Sequence, residues 1–262
     1  MSVATANIKD AKYPRPADMS PEEWQARVQL AACYRLFDYF GWYELIFNHI
    51  TLRVPGPERH FLINPFGLLY REVTASNLVK IDLDGNVIGK SNWPINPAGY
   101  TIHSAIHGAV ENAHCVMHTH TTTGLAVACK REGLSMTNFY SAQLLDQVAY
   151  HDFEGITVVP DEKERMLANI GDKRCVILRN HGLLAWGESV AEAFVRLWTL
   201  QRACDIQVIT ESMRGDTIPV TEEAARQATA VAQNFTPGHS CHEDVFAAMQ
   251  RLMDARDPSY RS

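Results

Sequence analysis

Two histidines that stand two residues apart are the strongest sign of chemistry in this 262-residue sequence. His118 and His120 end the segment CVMHTH, whose alternation predicts a β-strand. Side chains at positions i and i+2 of a strand point to the same side, about 7 Å apart along the chain. The pair is therefore half of a divalent-metal site, and the alternative is that both are ordinary core or surface histidines.

A third histidine, His181, is the best candidate to complete a ligand set. It follows the apolar segment CVIL, which predicts a strand, and it stands in the turn sequence RNHG. Three protein ligands with one position left open are typical of a catalytic metal site. The sequence therefore favours a site built from two strand ends that lie far apart along the chain.

Two further histidines, His103 and His107, are four residues apart on a predicted helix, which places them on one face. No Glu stands where the HExxH metal motif requires one. We therefore expect this pair to pack or form hydrogen bonds rather than to bind metal.

Helices and strands of moderate length are predicted around these residues. Ser20 and Glu23 predict a capping box at the start of the first helix, and Ser189 begins the longest one. Periodicity predicts strands at 50–54, 61–63, 114–118 and 175–178, a hairpin at 79–89 around Asp84-Gly85, and an apolar segment at 183–186 after the turn RNHG. It predicts helices at 22–40, 98–111, 122–131, 189–215, 221–233 and 243–255. These elements predict an N-terminal arm at 1–20, one α/β domain at 21–215 and a helical C-terminal extension at 216–262.

Composition excludes several classes of protein. Hydrophobic residues make up 46% of the chain and charged residues 21%, as in ordinary globular proteins. The net charge of −6 argues against a nucleic-acid partner, and the sequence has no apolar segment long enough to span a membrane. Six cysteines without a CxxC pair, and an N-terminal segment without the apolar core of a secretory signal, predict a cytoplasmic protein with reduced thiols.

Several motifs in order resemble the class II aldolase/adducin domain over about residues 22–215. They are His118-Thr119-His120, NHITLRVPG (48–56), INPFG (63–67), NPAGYTIHSAIH (96–107), AYHDFEGI (149–156) and RNHGLLAWGESVAEAF (179–194). The residues of these motifs are more similar to those of adducin-type head domains and their bacterial relatives than to those of the sugar-phosphate aldolases. The resemblance implies an α/β fold, a three-layer αβα sandwich around a mainly antiparallel sheet, usually assembled as a homotetramer. It also implies that His118, His120 and His181 hold one divalent ion, most simply zinc, with manganese or iron as alternatives.

The chain departs from the catalytic branch of this family at one position. The glutamate that transfers protons in the aldolases falls on Gly99, which has no side chain to move a proton. In some relatives a tyrosine from a neighbouring subunit protonates the leaving group, and Tyr140 matches its position with a gap of one residue. The resemblance therefore makes Tyr140 a candidate catalytic residue, although tyrosine is also common in subunit interfaces.

The loops that anchor the substrate in the family differ as well. Asn48, Thr51, Asn64 and Gly67 remain candidates for binding a substrate, but the serines expected in two of these loops are absent. A carboxylate or a neutral oxygen-rich molecule therefore suits the loops at least as well as a sugar phosphate. The alternative is that these residues only stabilise turns.

Two functions from different classes follow. The first is a metal-dependent carbon–carbon lyase that acts through a metal-stabilised enolate on a small oxygen-rich or carboxylate substrate, as an aldolase or a decarboxylase. Decarboxylation suits Gly99 because loss of CO₂ forms the enolate without a base. The second is a non-catalytic adducin-like assembly module, which Gly99 favours and the three intact histidines disfavour. Oxygen chemistry at an iron site is a weaker alternative, because the usual facial triad includes a carboxylate.

Overall fold

A mainly antiparallel sheet lies at the centre of the computed structural model, which describes residues 12–155, 161–232 and 238–262. Within these ranges the sheet has seven strands in the order β3-β2-β1-β4-β7-β6-β5, and only β5 and β6 run parallel. The strands are β1 (Ile50–Arg53), β2 (Phe61–Ile63), β3 (Val79–Ile81), β4 (Cys115–Thr119), β5 (Val148–His151), β6 (Cys175–Leu178) and β7 (Gly182–Gly187). The strand β5 was not predicted from periodicity.

Helices cover both faces of the sheet. In the described part of the chain they are α1 (Pro21–Phe40), α2 (Pro97–Ala109), α3 (Thr122–Ala128), α4 (Phe139–Ala142), α5 (Glu162–Ile170), α6 (Val190–Ser212), α7 (Glu222–Val231) and α8 (Cys241–Arg256). The helices α2 and α5 pack on one face, whereas α1, α3, α6 and α8 contribute to the hydrophobic core on the other. The αβα sandwich predicted for the fold is therefore confirmed. None of the described helices has the length and apolar character needed to cross a bilayer.

The alternation of side chains along β4 shows how the two cores form. Val116 packs with Trp186 and Met166 beneath α2 and α5. Met117, its neighbour, points to the opposite core, where it joins Leu197 of α6. Both faces of the strand are thus apolar, and β4 is held in the middle of the sheet between β1 and β7. The end of this strand carries the first two histidines of interest.

Both long helices begin at the predicted serines. The side chains of Ser20 and Ser189 each accept a hydrogen bond from the backbone N–H three residues later. The prediction that Glu23 completes the first capping box is wrong, since its carboxylate accepts hydrogen bonds from Arg27 and Lys80, each at 2.9 Å. Arg27 is only 4% exposed, and a buried guanidinium requires a counter-charge more than the helix end requires a second cap.

The C-terminal helices pack against the rest of the chain. Phe246 of α8 is buried against Phe194 of α6, with ring centroids 5.8 Å apart. The last residues return to α1, where Asp257 pairs with Arg35 at 2.7 Å and Tyr260 is fully buried. The segment after residue 215 therefore contributes side chains to the same hydrophobic core as α1 and α6.

Candidate metal centre

The three predicted ligands meet at one end of the sheet. His118 is the fourth residue of β4 and His120 follows its end, whereas His181 lies in the turn between β6 and β7. Because β4 and β7 are antiparallel and Thr119 pairs with Leu183, the start of β7 lies beside the end of β4. Strand pairing therefore brings His181 to a pair of histidines about 60 residues earlier in the sequence.

The distances between the imidazoles fit a single metal ion. One nitrogen from each ring lies within 4.8 Å of the others, and the Nε2 atoms of His118 and His120 are 2.7 Å apart. Two nitrogen lone pairs at that distance repel each other unless a proton or a cation lies between them. A tetrahedral zinc ion holds its nitrogen ligands about 3.4 Å apart, with Zn–N near 2.0–2.1 Å. The separations present, from 2.7 Å up to at most 4.8 Å, are on either side of that spacing.

A hydrogen bond to the backbone orients His118. Its Nδ1 lies 2.8 Å from the carbonyl oxygen of Leu183, and this oxygen requires a donor, so the N–H is on Nδ1. The lone pair of Nε2 is then directed to the centre of the cluster. Such a bond on the far side of a histidine fixes its tautomer and raises its strength as a ligand.

The turn that carries His181 explains the sequence Asn-His-Gly. Asn180 has φ of +56°, a left-handed conformation that asparagine tolerates better than most residues. A Cβ added to Gly182 would lie 2.2 Å from the carbonyl oxygen of Thr119 and 3.2 Å from Cε1 of His118. Only glycine permits this approach of the turn to β4, and that approach sets the position of His181.

Burial keeps the three imidazoles neutral. It lowers the pKa of His118 well below its usual value, and nearby histidines lower it further. Burial, with smaller contributions from His120 and His151, lowers the pKa of His181 to about 4. For His120 the same effect of burial on the pKa is opposed by the charge of Glu44. Neutral imidazole is the form that binds metal, so the cluster is ready to bind at neutral pH.

A cavity of about 610 Å³ opens beside the histidine cluster. Its volume is in the range of small-molecule sites. Apart from the three histidines, its walls are formed by Glu44, Phe47, His49, Phe66, Asn96, Ile102, Leu125, Phe153, Gly155 and Asn180. We call this space the histidine cavity.

The predicted substrate residues lie next to the cavity walls. Asn48 and Asn64 are buried and do not line the histidine cavity, and Gly67, with φ of +105°, does not line it either. The neighbouring residues Phe47 and Phe66 do line it. The amide of Asn48 has no hydrogen-bond partner among the described residues, and a buried unpaired amide costs about 1–3 kcal/mol. The loops that the sequence indicated thus reach the cavity through aromatic residues that the sequence analysis missed, and substrate binding by the polar residues stays a prediction.

Thr51 binds two histidines instead of facing the cavity. Its hydroxyl lies 2.7 Å from Nδ1 of His103 and 2.7 Å from Nε2 of His107, and all three side chains are buried. Nδ1 of His107 in turn bonds the carbonyl oxygen of Ala113 at 2.6 Å. The expectation that His103 and His107 form hydrogen bonds is confirmed. They fix α2 against β1, and the structure shows Thr51 in this cluster.

Acidification is expected to destabilise the protein through His107. Burial lowers the pKa of this ring from 6.5 to about 3, although the bond to Ala113 opposes the shift. Below pH 6.5 the unfolded chain takes up a proton that the folded ring does not, so the stabilisation present above that pH is lost as pH falls. At pH 5 the loss is about 2 kcal/mol. Urea denaturation should show a smaller decrease in the free energy of unfolding between pH 7 and pH 5 for His107→Gln than for the unmodified protein; equal decreases would contradict the assignment.

Tyr140 and Gly99 lie in different parts of the molecule. Tyr140 belongs to α4, packs edge-to-face on Trp198 with ring centroids 5.4 Å apart, and lines a second, apolar cavity among the helices. It does not line the histidine cavity of its own chain. Gly99 lies in the first turn of α2, which begins next to Asn96 on the cavity wall. A catalytic role for Tyr140 therefore requires a second subunit and stays a prediction.

The fold and the three histidines together define a member of a known family. The sequence model of the family described as class II aldolase and adducin N-terminal domain matches residues 28–208, and the chain belongs to that family. A protein of the aldolase class 2 family from Caulobacter vibrioides is 51% identical over 208 residues, which cover 79% of this chain and 81% of that protein. Alpha-adducin of Rattus norvegicus is 44% identical over 87% of this chain, although the match spans only 33% of alpha-adducin. A crystal structure of an aldolase II superfamily protein from Pseudomonas syringae superposes with a TM-score of 0.88, at 41% identity over 94% of this chain and 98% of that one.

Proposed function

We propose that the chain is a metal-dependent carbon–carbon lyase that acts on a small oxygen-rich or carboxylate substrate. The observation that supports this most strongly is the convergence of three buried or half-buried imidazoles on one point at the wall of a cavity. Three histidines leave coordination positions for a substrate, as in catalytic rather than structural zinc sites. We propose zinc as the ion, with manganese or iron as alternatives, because imidazole ligands suit all three.

The residues of the cavity have separate tasks in this proposal. A bound divalent cation supplies Lewis-acid stabilisation of the negative charge that develops when the carbon–carbon bond breaks. His118, oriented by the carbonyl oxygen of Leu183, keeps the ligand set in place. Phe47 and Phe153 line the cavity, and with a substrate bound between them and the metal they would reduce the access of water to the reacting carbon.

Proton transfer decides between cleavage by aldolase chemistry and decarboxylation. With Gly99 at the start of α2, the chain has no carboxylate at the family position. Loss of CO₂ needs no base to begin, so decarboxylation is the form of the reaction that fits this sequence best. We also propose a homotetramer, in which Tyr140 of the partner subunit approaches the histidine cavity and donates a proton.

An assembly role without catalysis is the second candidate. It is supported by the 44% identity to alpha-adducin and by Gly99. The same structure would then serve as a packing unit, with the metal, if bound, stabilising the fold. A cytoplasmic setting is proposed for either function, because all six cysteines are unpaired.

Metal analysis combined with a turnover assay tests the proposed lyase. The purified protein, loaded with zinc, manganese or iron, should release CO₂ or an aldehyde from small keto and hydroxy acids, and removal of the metal by a chelator should stop the reaction. A general acid–base group contributes about 10²–10⁴-fold, so cleavage of sugar phosphates should be slow by that factor relative to family aldolases. Robust cleavage of a sugar phosphate would contradict the preference for decarboxylation. A metal-free protein without turnover would favour the assembly module.

A further inference from the structure

The walls of the histidine cavity are largely apolar. Five of the lining residues other than histidine have hydrocarbon or aromatic side chains: Phe47, Phe66, Ile102, Leu125 and Phe153. Three of the five are phenylalanines. A sugar phosphate presents hydroxyl and phosphate oxygens, which form no hydrogen bond with these rings. The walls therefore match a ligand with an apolar surface.

Two of these rings are exposed next to the ligand histidines. Phe47 is 51% exposed and Phe153 is 48% exposed. The ring of Phe153 stands edge-on to His181, with centroids 6.0 Å apart at 70°. Exposed aromatic rings are costly in water unless a partner covers them, and each Å² of apolar surface covered contributes about 25 cal/mol. Because both rings line the same cavity, an apolar group bound there would remove part of their exposed surface from water.

The charged residues of the cavity also disfavour a ligand that has a second anionic group besides the one that ligates the metal. Among the described residues that line it, Glu44 is the one with a carboxyl group, and no Lys or Arg is present. Proteins usually bind phosphate with arginine, lysine or backbone N–H groups. A phosphate near Glu44 would be repelled, whereas a single head group can be neutralised by the bound cation.

We propose that the histidine cavity binds a substrate with one oxygen head group that ligates the metal and an aromatic body that packs between Phe47 and Phe153. The proposal rests on the proposed lyase function, because the metal positions the head group. It narrows the substrate class to aryl-substituted keto or hydroxy acids and excludes sugar phosphates.

Matched pairs of small acids test the proposal by isothermal titration calorimetry on the zinc-loaded protein. Phenylpyruvate is expected to bind about 10- to 100-fold more tightly than pyruvate, because the phenyl ring is transferred from water to the aromatic walls. Phosphoglycolate is expected to bind no more tightly than glycolate, because its second anionic group faces Glu44.

Variants assign the preference for the phenyl ring and the discrimination against a second anionic group to individual side chains. Phe47→Ala and Phe153→Ala should each reduce the preference for phenylpyruvate about fivefold. Tyr43→Ala is the matched control, since Tyr43 is 44% exposed in the same loop as Phe47 and does not line the cavity. Glu44→Gln should increase the affinity for phosphoglycolate relative to that for glycolate about tenfold. It should leave the preference for phenylpyruvate over pyruvate unchanged.

The outcomes separate this proposal from the one on which it rests. Failure of the protein to load metal contradicts the proposed lyase, and the substrate class with it. Full metal loading with equal affinity for pyruvate and phenylpyruvate overturns the substrate class alone, as does tighter binding of phosphoglycolate than of glycolate. If Phe47→Ala alters the sedimentation coefficient but not the preference for phenylpyruvate, the ring belongs to a subunit contact and the proposal is wrong.

Discussion

Zinc binding is expected to fall about 10²–10³-fold when His181 is replaced by alanine. Sites with four protein ligands bind zinc with about 10–16 kcal/mol, so each ligand contributes several kcal/mol. His181 is the most informative of the three to remove, because its side chain is only partly buried in a turn. His118 is 3% exposed and bonds the backbone of β7, so its loss would damage the fold as well. Competition with a chromogenic chelator measures the affinity.

The matched control is His60→Ala. The His60 side chain is 24% exposed, lies 3.8 Å from the carboxylate of Glu58 and does not line the histidine cavity. Its replacement should leave the zinc affinity within about twofold of the unmodified protein, since no ligand is lost. Circular dichroism of both variants should be unchanged, which separates loss of a ligand from loss of the fold. An unaltered zinc affinity in His181→Ala would show that the metal binds elsewhere.

The same three ligands illustrate what the sequence can predict and what it cannot. The spacing of His118 and His120 identifies one strand end, because a strand has a fixed period of two residues. It contains no information on which strand lies beside β4. The pairing of Thr119 with Leu183 depends on the order of strands in the sheet, and β6 and β7 are separated from β4 by more than 50 residues. The position of His181 after the apolar segment CVIL made it a candidate, and the family resemblance assigned it as the third ligand.

The substrate loops show a different limit. Asn48 is a candidate because it lies in a loop that anchors the substrate in the family, and in the structure Phe47 and His49, one residue to either side, line the cavity. Adjacent residues in an extended segment point to opposite sides, so the sequence alone does not determine which of them faces the cavity. The strand β5 was not recognised because its buried positions carry Ala149 and His151, which do not form an alternating pattern of large apolar residues. Long elements such as α1 and α6 were predicted to within a few residues, because many apolar positions repeat along them.

Glycine at position 182 is expected to be as important to the metal centre as the ligands themselves. In Gly182→Ala the new Cβ would lie 2.2 Å from the carbonyl oxygen of Thr119, a backbone atom that cannot rotate away. The turn must then move away from β4, and this movement separates His181 from His118 and His120. We expect a loss of about 2–4 kcal/mol in the free energy of unfolding, together with a decrease of about 10- to 100-fold in zinc affinity.

Gly108→Ala is the control that isolates the steric cause. Gly108 lies in α2, and a Cβ added there meets no atom within 4 Å. Alanine in a helix is favoured over glycine by about 0.5–1 kcal/mol, so this variant should be at least as stable as the unmodified protein and should bind zinc equally well. Thermal denaturation with and without zinc measures both effects in one experiment. If Gly182→Ala retained the stability and zinc affinity of Gly108→Ala, the close approach of the turn to β4 would not be what positions His181. The convergence of the three histidines would then have to depend on the packing of their rings, and the NHG turn would not be needed to form the metal centre.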